Sequence, residues 1–170
     1  KGMDNNKRNL KRVIHTSSPD RGLEHLLKMW PDVKKAVPAA ELHIAYGFQL
    51  FDRMMHDNPG AMMWKDNLLK MMKHEGIVDH DRLPQPELAE LLKTCAIFAY
   101  PTHFGEINCI SALKAQYYGV EPVVVNYAAL KETVQFGVKV EGDIYDQETK
   151  DLFKGSLIAL LNDEKYPVNL

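Results

Sequence analysis

Cys95-Ala-Ile-Phe-Ala-Tyr-Pro-Thr-His-Phe-Gly-Glu-Ile-Asn-Cys-Ile-Ser-Ala-Leu-Lys-Ala-Gln116 is the stretch on which the fold turns. Its first residues, Cys95–Tyr100, form an unbroken apolar run of strand length, the pattern of a strand buried on both faces. A polar turn with a glycine follows. Ile110, Leu113 and Tyr117 then recur at helical spacing, which predicts a helix over Glu106–Tyr118. Strand, turn and helix in this order form the unit of a parallel α/β sheet. Glu106 then stands where a strand ends and a helix begins, the edge of such a sheet at which ligands bind. Backbone N–H groups at a helix start are unpaired and attract anions. A carboxylate beside them suits a polyhydroxyl ligand that also carries phosphate.

The same alternation extends in both directions. Lys11–Thr16 reads as a first strand. Ser17-Ser-Pro-Asp-Arg-Gly22 reads as a helix start, with Ser18 as cap, Pro19 in the first turn and Asp20 complementing the helix dipole. The helix runs through Leu23, Leu26, Leu27 and Trp30 and weakens before Pro31, restarting over Asp32–Ala36. Glu41–Tyr46 is a second strand. Residues 48–60 are ambiguous apart from the turn Asn58-Pro59-Gly60. Ala61–His74 is helical, Ile77–Asp79 a short strand and Pro86–Leu92 a short helix. After the central unit come a strand at Glu121–Asn126, a short helix at Ala129–Phe136, a strand at Val138–Val140 and a closing helix at Asp146–Leu161. Six strands with intervening helices predict a doubly wound, Rossmann-like parallel sheet in a single domain over residues 1–170.

The composition excludes several classes. The chain has 170 residues, 45% hydrophobic and 26% charged, with a net charge of −2, ordinary for one globular domain. Its one basic run, Lys7-Arg-Asn-Leu-Lys-Arg12, reads as a solvated lead-in to the first strand, so no nucleic-acid footprint is present. Cys95 and Cys109 read as buried free thiols in a reducing compartment. No apolar stretch approaches the roughly 20 residues of a membrane span. No signal peptide and no glycosylation sequon occur, so a cytoplasmic location is expected. The chain begins at Lys1 rather than Met, as a fragment of a longer protein would. Six of the eight methionines lie between Met54 and Met72, as a soft packing surface or as an adaptable face for a second domain or partner.

Among residues able to carry chemistry, Arg21 precedes Gly22 in the first turn of the first helix. It either joins the helix amides around a phosphate or pairs on the surface with Asp20 or Glu24. Glu106 accepts hydrogen bonds from ligand hydroxyls or stabilises the start of its helix. Gly105 allows close approach of backbone to a ligand or simply turns the chain. His103 donates to a phosphate or sugar hydroxyl or is a bystander in the loop. Glu132 faces the same crevice or solvent. His74-Glu75…His80 lacks the i, i+4 histidine spacing of a helical zinc site, and Asp79-His80-Asp81 cannot turn three adjacent side chains to one point, so no metal is expected.

The order of four segments resembles the C-terminal, donor-binding domain of GT-B glycosyltransferases of the retaining group 1 or family 4 type. They are Ser17–Leu23, Leu42–Gly47, Leu88–Glu106 with its Tyr100-Pro-Thr-His-Phe-Gly-Glu106, and Ala112–Glu132 with Pro122-Val-Val-Val125. The resemblance implies that Arg21-Gly22 grips the diphosphate of a nucleotide-sugar donor, with Thr16 standing where a second arginine is usual. It implies that Glu106 contacts the donor sugar. Eight positions on, Lys114 stands where a second glutamate usually binds ribose hydroxyls. A lysine donates to a hydroxyl but cannot accept from one. The resemblance therefore leaves three readings: altered ribose recognition, a phosphate on or near the ribose, or lost donor binding. Glu132 matches a glutamate near the donor site, with Ala128 and Ala129 where glycines are usual before it.

The implied activity is retaining glycosyl transfer from a nucleotide-diphosphate sugar without an obligate metal or other cofactor. The acceptor is unknown and would be held by a separate N-terminal domain, through which any peripheral membrane association would occur. By itself the chain would bind the donor and transfer poorly. The alternative is a non-catalytic nucleotide- or sugar-binding regulatory module on the same fold. A dinucleotide enzyme is disfavoured by the absence of Gly-x-Gly-x-x-Gly after the first strand. A receiver domain is disfavoured by the absence of an acidic cluster at the strand ends.

Overall fold

The structure, a computed structural model, describes residues 8–163. Lys7 of the basic run and the start at Lys1 lie outside them. The elements in chain order are β1 (Asn9–His15), α1 (Leu23–Ala36), β2 (Glu41–Ile44), α2 (Gln49–Met55), α3 (Pro59–Met71), β3 (Ile77–Asp79), α4 (Gln85–Thr94), β4 (Cys95–Tyr100), α5 (Ile110–Tyr117), β5 (Glu121–Val125), α6 (Leu130–Thr133), β6 (Val138–Val140) and α7 (Gln147–Asn162). The strands form one sheet in the order β3-β2-β1-β4-β5-β6, with every neighbouring pair parallel. This is the doubly wound arrangement expected from the sequence. The chain leaves β1 towards one edge and crosses back to β4 beside it. The loops after these two strands therefore part and open a crevice.

Period-2 alternation divides the core between the two faces of the sheet. Val13, Ile97 and Val123 pack on one side with Leu26, Trp30 and Val33 of α1 and Phe153 and Leu157 of α7. Ile14, Phe98 and Val124 pack on the other with Ala112 and Ala115 of α5 and Leu130 of α6. Both faces of β4 are covered, and all six of its residues are buried.

The structure departs from the sequence expectations at three elements. First, α1 runs without a break through Pro31. An interior proline costs about 3 kcal/mol. Leu26, Leu27, Trp30 and Val33 are buried on either side of it, and each such side chain contributes about 1.5–3 kcal/mol, which offsets the loss. Second, the helix expected from Glu106 begins only at Ile110, so Glu106 belongs to a loop. Third, the ambiguous region contains α2 and a capped start of α3, where the Asn58 side chain accepts from the Ala61 N–H at 3.0 Å. The methionines are spread over these two helices: Met72, just beyond α3, is buried, while Met54 and Met63 are exposed.

The basic run is not a solvated lead-in. Arg8 donates to the carbonyls of Cys95 and Tyr118, Lys11 to that of Leu161, and Arg12 to Glu41 Oε2 and Thr94 Oγ1, both at 2.8 Å. These cations tie β1 to the elements around it, and the local charge pattern could not reveal such distant acceptors.

Both cysteines are free and buried. Burial pushes the Cys95 thiol up to about 12 and that of Cys109 to about 11. A thiol reagent needs the thiolate. Native protein at pH 7.5 is therefore expected to react slowly, with both thiols labelled at once on denaturation. Rapid native labelling would contradict the burial.

Candidate active site at the carboxyl ends of β1 and β4

Gly22 joins the two loops. It caps α1 at φ 110°, in the left-handed half of backbone space that favours glycine. A Cβ placed there would lie 2.4 Å from the Pro101 carbonyl oxygen and 2.8 Å from its carbon. The β1–α1 loop therefore lies directly on the backbone of the β4–α5 loop. Just before it, the Arg21 N–H donates to the Ser18 carbonyl at 2.9 Å and closes a turn. Arg21 thus precedes the helix cap rather than occupying the first helical turn.

From there Arg21 reaches across the crevice. Its Nη1 lies 3.2 Å from Glu106 Oε1 and 3.5 Å from Oε2, and its Cζ is 4.1 Å from the centre of the Phe104 ring. The surface partners open to it on sequence grounds are engaged elsewhere: Asp20 accepts from Ser18, and Glu24 pairs with Lys28 and accepts from Trp64. The Tyr100 hydroxyl donates to Glu106 Oε1 at 2.6 Å. Burial, reinforced by that bond, pushes the Tyr100 hydroxyl well above its ordinary range. The Glu106 main chain is also held. Its N–H donates to the Phe104 carbonyl at 3.0 Å, and its carbonyl accepts from Ala129 at 3.2 Å. The Glu106 side chain is 9% exposed and that of Arg21 37%. The pair is thus fixed by protein on most sides and open on one.

Below it lies His15, fully buried, its Nδ1 3.1 Å from the Ala99 carbonyl and its ring 5.8 Å from that of Tyr100. Burial lowers its pKa to about 4, and burial followed by the nearby His103 does the same for His25. In the unfolded chain both take a proton near 6.5. Between those values the unfolded state binds more protons, so stability falls as pH drops from about 6.5 to about 4. The thermal midpoint is expected to be lower at pH 5 than at pH 7.5, and the difference to shrink in His15→Gln. An equal difference in that variant would exclude His15 as a source.

The other sequence candidates occupy different places. His103 is exposed, with its ring 5.7 Å from His25 and 5.2 Å from Tyr145. It borders a cavity of about 650 Å³ between α1, α3 and α7. Gly105 is exposed, and a Cβ there would meet nothing nearer than Tyr127 Oη at 3.9 Å. Lys114, on α5, donates to Gln85 Oε1 and lines a crevice with Thr16, Tyr46 and Arg82. Glu132 is exposed on α6. The loop before it touches the Glu106 loop, and there Ala128 has φ 48°, a strained value where glycine is at ease.

Sequence reasoning did not single out Tyr100, Phe104 or Arg82. Tyr100 carried a signal, since a tyrosine ending a buried strand needs a partner for its hydroxyl.

A six-stranded parallel sheet with an arginine–carboxylate pair at its topological switch defines an α/β domain of Rossmann-like type. The family described as glycosyl transferases group 1 matches residues 4–170, so the chain belongs to that family and is a GT-B glycosyltransferase domain. No curated protein sequence matches.

Among solved structures, the chain is similar to S. aureus TarM (a point mutant in complex with fondaparinux, alpha-GlcNAc-glycerol and UDP), at 17% identity and TM-score 0.65, covering 90% of this chain and 29% of that one. It is similar to the pneumococcal O-GlcNAc transferase GtfA in complex with UDP and GlcNAc, at 11% identity and TM-score 0.67, covering 91% and 29%. Anabaena Alr3699/HepE in complex with UDP and glucose gives 12% identity and TM-score 0.60, covering 92% and 44%. The chain thus spans less than half the length of each of these proteins. Among the described residues, no helix is long and apolar enough to cross a membrane.

Proposed function

We propose that residues 1–170 form the donor-binding half of a retaining glycosyltransferase that takes a nucleotide-diphosphate sugar. The observation that carries this reading is the Arg21–Glu106 pair at 3.2 Å, set at the carboxyl ends of β1 and β4. Nη1 of Arg21 faces Glu106, and the rest of the guanidinium fork is suited to a diphosphate oxygen. Glu106, already accepting from Tyr100 and Arg21, keeps lone pairs for sugar hydroxyls. Gly22 and Gly105 border the site with backbone, His103 flanks it from the same loop as Glu106, Glu132 flanks it from α6, and Lys114 lies on the nucleoside side.

As the glycosidic bond to the diphosphate breaks, Arg21 stabilises the departing charge. The acceptor, positioned by an N-terminal domain, attacks the face the diphosphate leaves. The chemistry requires no metal in this scheme. Alone, the chain binds donor and transfers little. A cytoplasmic enzyme of polysaccharide biosynthesis fits this reading, with any membrane contact made by the other domain. The second reading, a non-catalytic module, is favoured by Thr16 and Lys114, which stand where the family usually has an arginine and a glutamate.

Titration calorimetry with UDP, GDP and ADP, each with and without an attached sugar, separates the two. Micromolar binding of one nucleotide supports the donor domain. No binding of any of them overturns it.

A further inference from the structure

The cavity between α1, α3 and α7 has a chemistry that donor binding does not use. At about 650 Å³ it falls within the roughly 300–1,000 Å³ of small-molecule sites. Aromatic rings form two clusters in its wall. His25, His103 and Tyr145 stand with ring centres 5.0 to 5.7 Å apart, and Phe51 lies 5.2 Å from Trp64. His25 is 9% exposed, and among the described residues no group hydrogen-bonds its ring. Burial keeps that ring neutral near pH 7, with one donor and one acceptor nitrogen. A buried imidazole without a partner on the wall of a cavity is a group that a ligand would satisfy.

The charged lining is mixed and mostly paired. Lys28 pairs with Glu24, and Lys154 lies 2.8 Å from Asp32 and 3.5 Å from Asp151. Glu24 also accepts from Trp64 Nε1 at 2.7 Å. A bound ion would call for a run of one sign, which this lining lacks. A wholly apolar ligand would leave the paired groups unused. A neutral sugar ring matches both parts of the lining. Its C–H faces lie on aromatic rings, and its edge hydroxyls donate to carboxylate lone pairs and accept from ammonium protons that the pairs leave free.

We infer that this cavity binds a neutral oligosaccharide, part of a glycan whose end reaches the Arg21–Glu106 crevice past Gly22 and His103. Both residues line the cavity, and both border that crevice. An N-terminal domain would position the reacting end, and this cavity the chain behind it. The role of the glycan as acceptor rests on the proposed donor-binding function, whereas the binding itself does not.

The test screens the whole chain against an array of neutral di- to tetrasaccharides of glucose, galactose, mannose and N-acetylglucosamine, and separately against UDP. Of the two tryptophans, Trp30 is fully buried and Trp64 lines the cavity, so the Trp64 indole N–H resonance reports on it. At least one oligosaccharide is expected to bind and to shift that resonance. His25→Phe keeps the ring and removes both nitrogens, and should weaken binding about fivefold or more, the scale of a lost hydrogen bond. Tyr145→Ala, at a side chain exposed enough to leave the fold intact, should weaken it comparably and decides the matter if His25→Phe does not fold. Binding of no array member, an unmoved Trp64 indole, or unchanged affinity in the folded variants overturns the inference even where UDP binds. Oligosaccharide binding in the cavity without binding of any nucleotide overturns the donor reading alone.

Discussion

Arg21→Ala is expected to weaken nucleoside-diphosphate binding by about 1.5–3 kcal/mol, the scale of a hydrogen bond to a charged group, or roughly ten- to 150-fold. The Arg21 guanidinium bridges the β1–α1 loop to the carboxylate of Glu106 and lies over Phe104. Truncation removes the cation facing the diphosphate. It also removes the charge beside a carboxylate that is 9% exposed, leaving two negative groups to approach each other without a counter-charge. Arg21→Lys should fall between wild type and alanine, because lysine keeps the charge and loses the planar fork. Calorimetry of the three proteins checks the order. Equal affinity for wild type and Arg21→Ala would remove Arg21 from the site.

Gly22→Ala is expected to cost on the order of 3 kcal/mol or more in stability, since backbone strain at a disfavoured φ costs about 1–3 kcal/mol and the clash adds to it. The new Cβ would stand 2.4 Å from a backbone oxygen, an atom that cannot turn aside like a side-chain end. The loops after β1 and β4 would have to part, and Arg21 and Glu106 with them. For a chain of this size the midpoint should drop by about 6–12 °C, with donor affinity falling as well. Two controls sharpen the test. Gly155, inside α7, has nothing within 4 Å of an added Cβ, so Gly155→Ala should be neutral or stabilising. Gly105→Ala should fold like wild type, because its added carbon would make only ordinary contact with Tyr127. A melting curve for Gly22→Ala that matches these controls would refute the clasp.

The sheet was legible because its signals are local. Cys95–Tyr100 is apolar on both faces because β4 lies at the centre of a parallel sheet, and the short strands Ile77–Asp79 and Val138–Val140 fall in the structure where the sequence places them. Pro31 misled because its local penalty is outweighed by burial on the opposite side of α1, a tertiary effect. The late start of α5 was hidden because Ile107 extends the apolar spacing of Ile110 and Leu113 back into the loop, although all three are exposed. Arg21 and Glu106 were each legible as site candidates by their place after a strand. Their pairing across 85 positions was not, because it depends on the close loop contact that only Gly22 permits. Tyr100 was read as an apolar strand end and its hydroxyl overlooked. Lys114 stood out by its residue type, whereas its company with Arg82 required the fold.

Amide chemical-shift mapping of this chain during titration with UDP-N-acetylglucosamine, or with whichever nucleotide sugar calorimetry selects, tests the central claim most directly. The account predicts the largest shifts at Arg21 and Gly22, over Thr102–Cys109, and at the start of α5. Shifts confined to α3, α7 and the face of α1 between them, with Arg21, Gly22 and Glu106 unmoved, would contradict it.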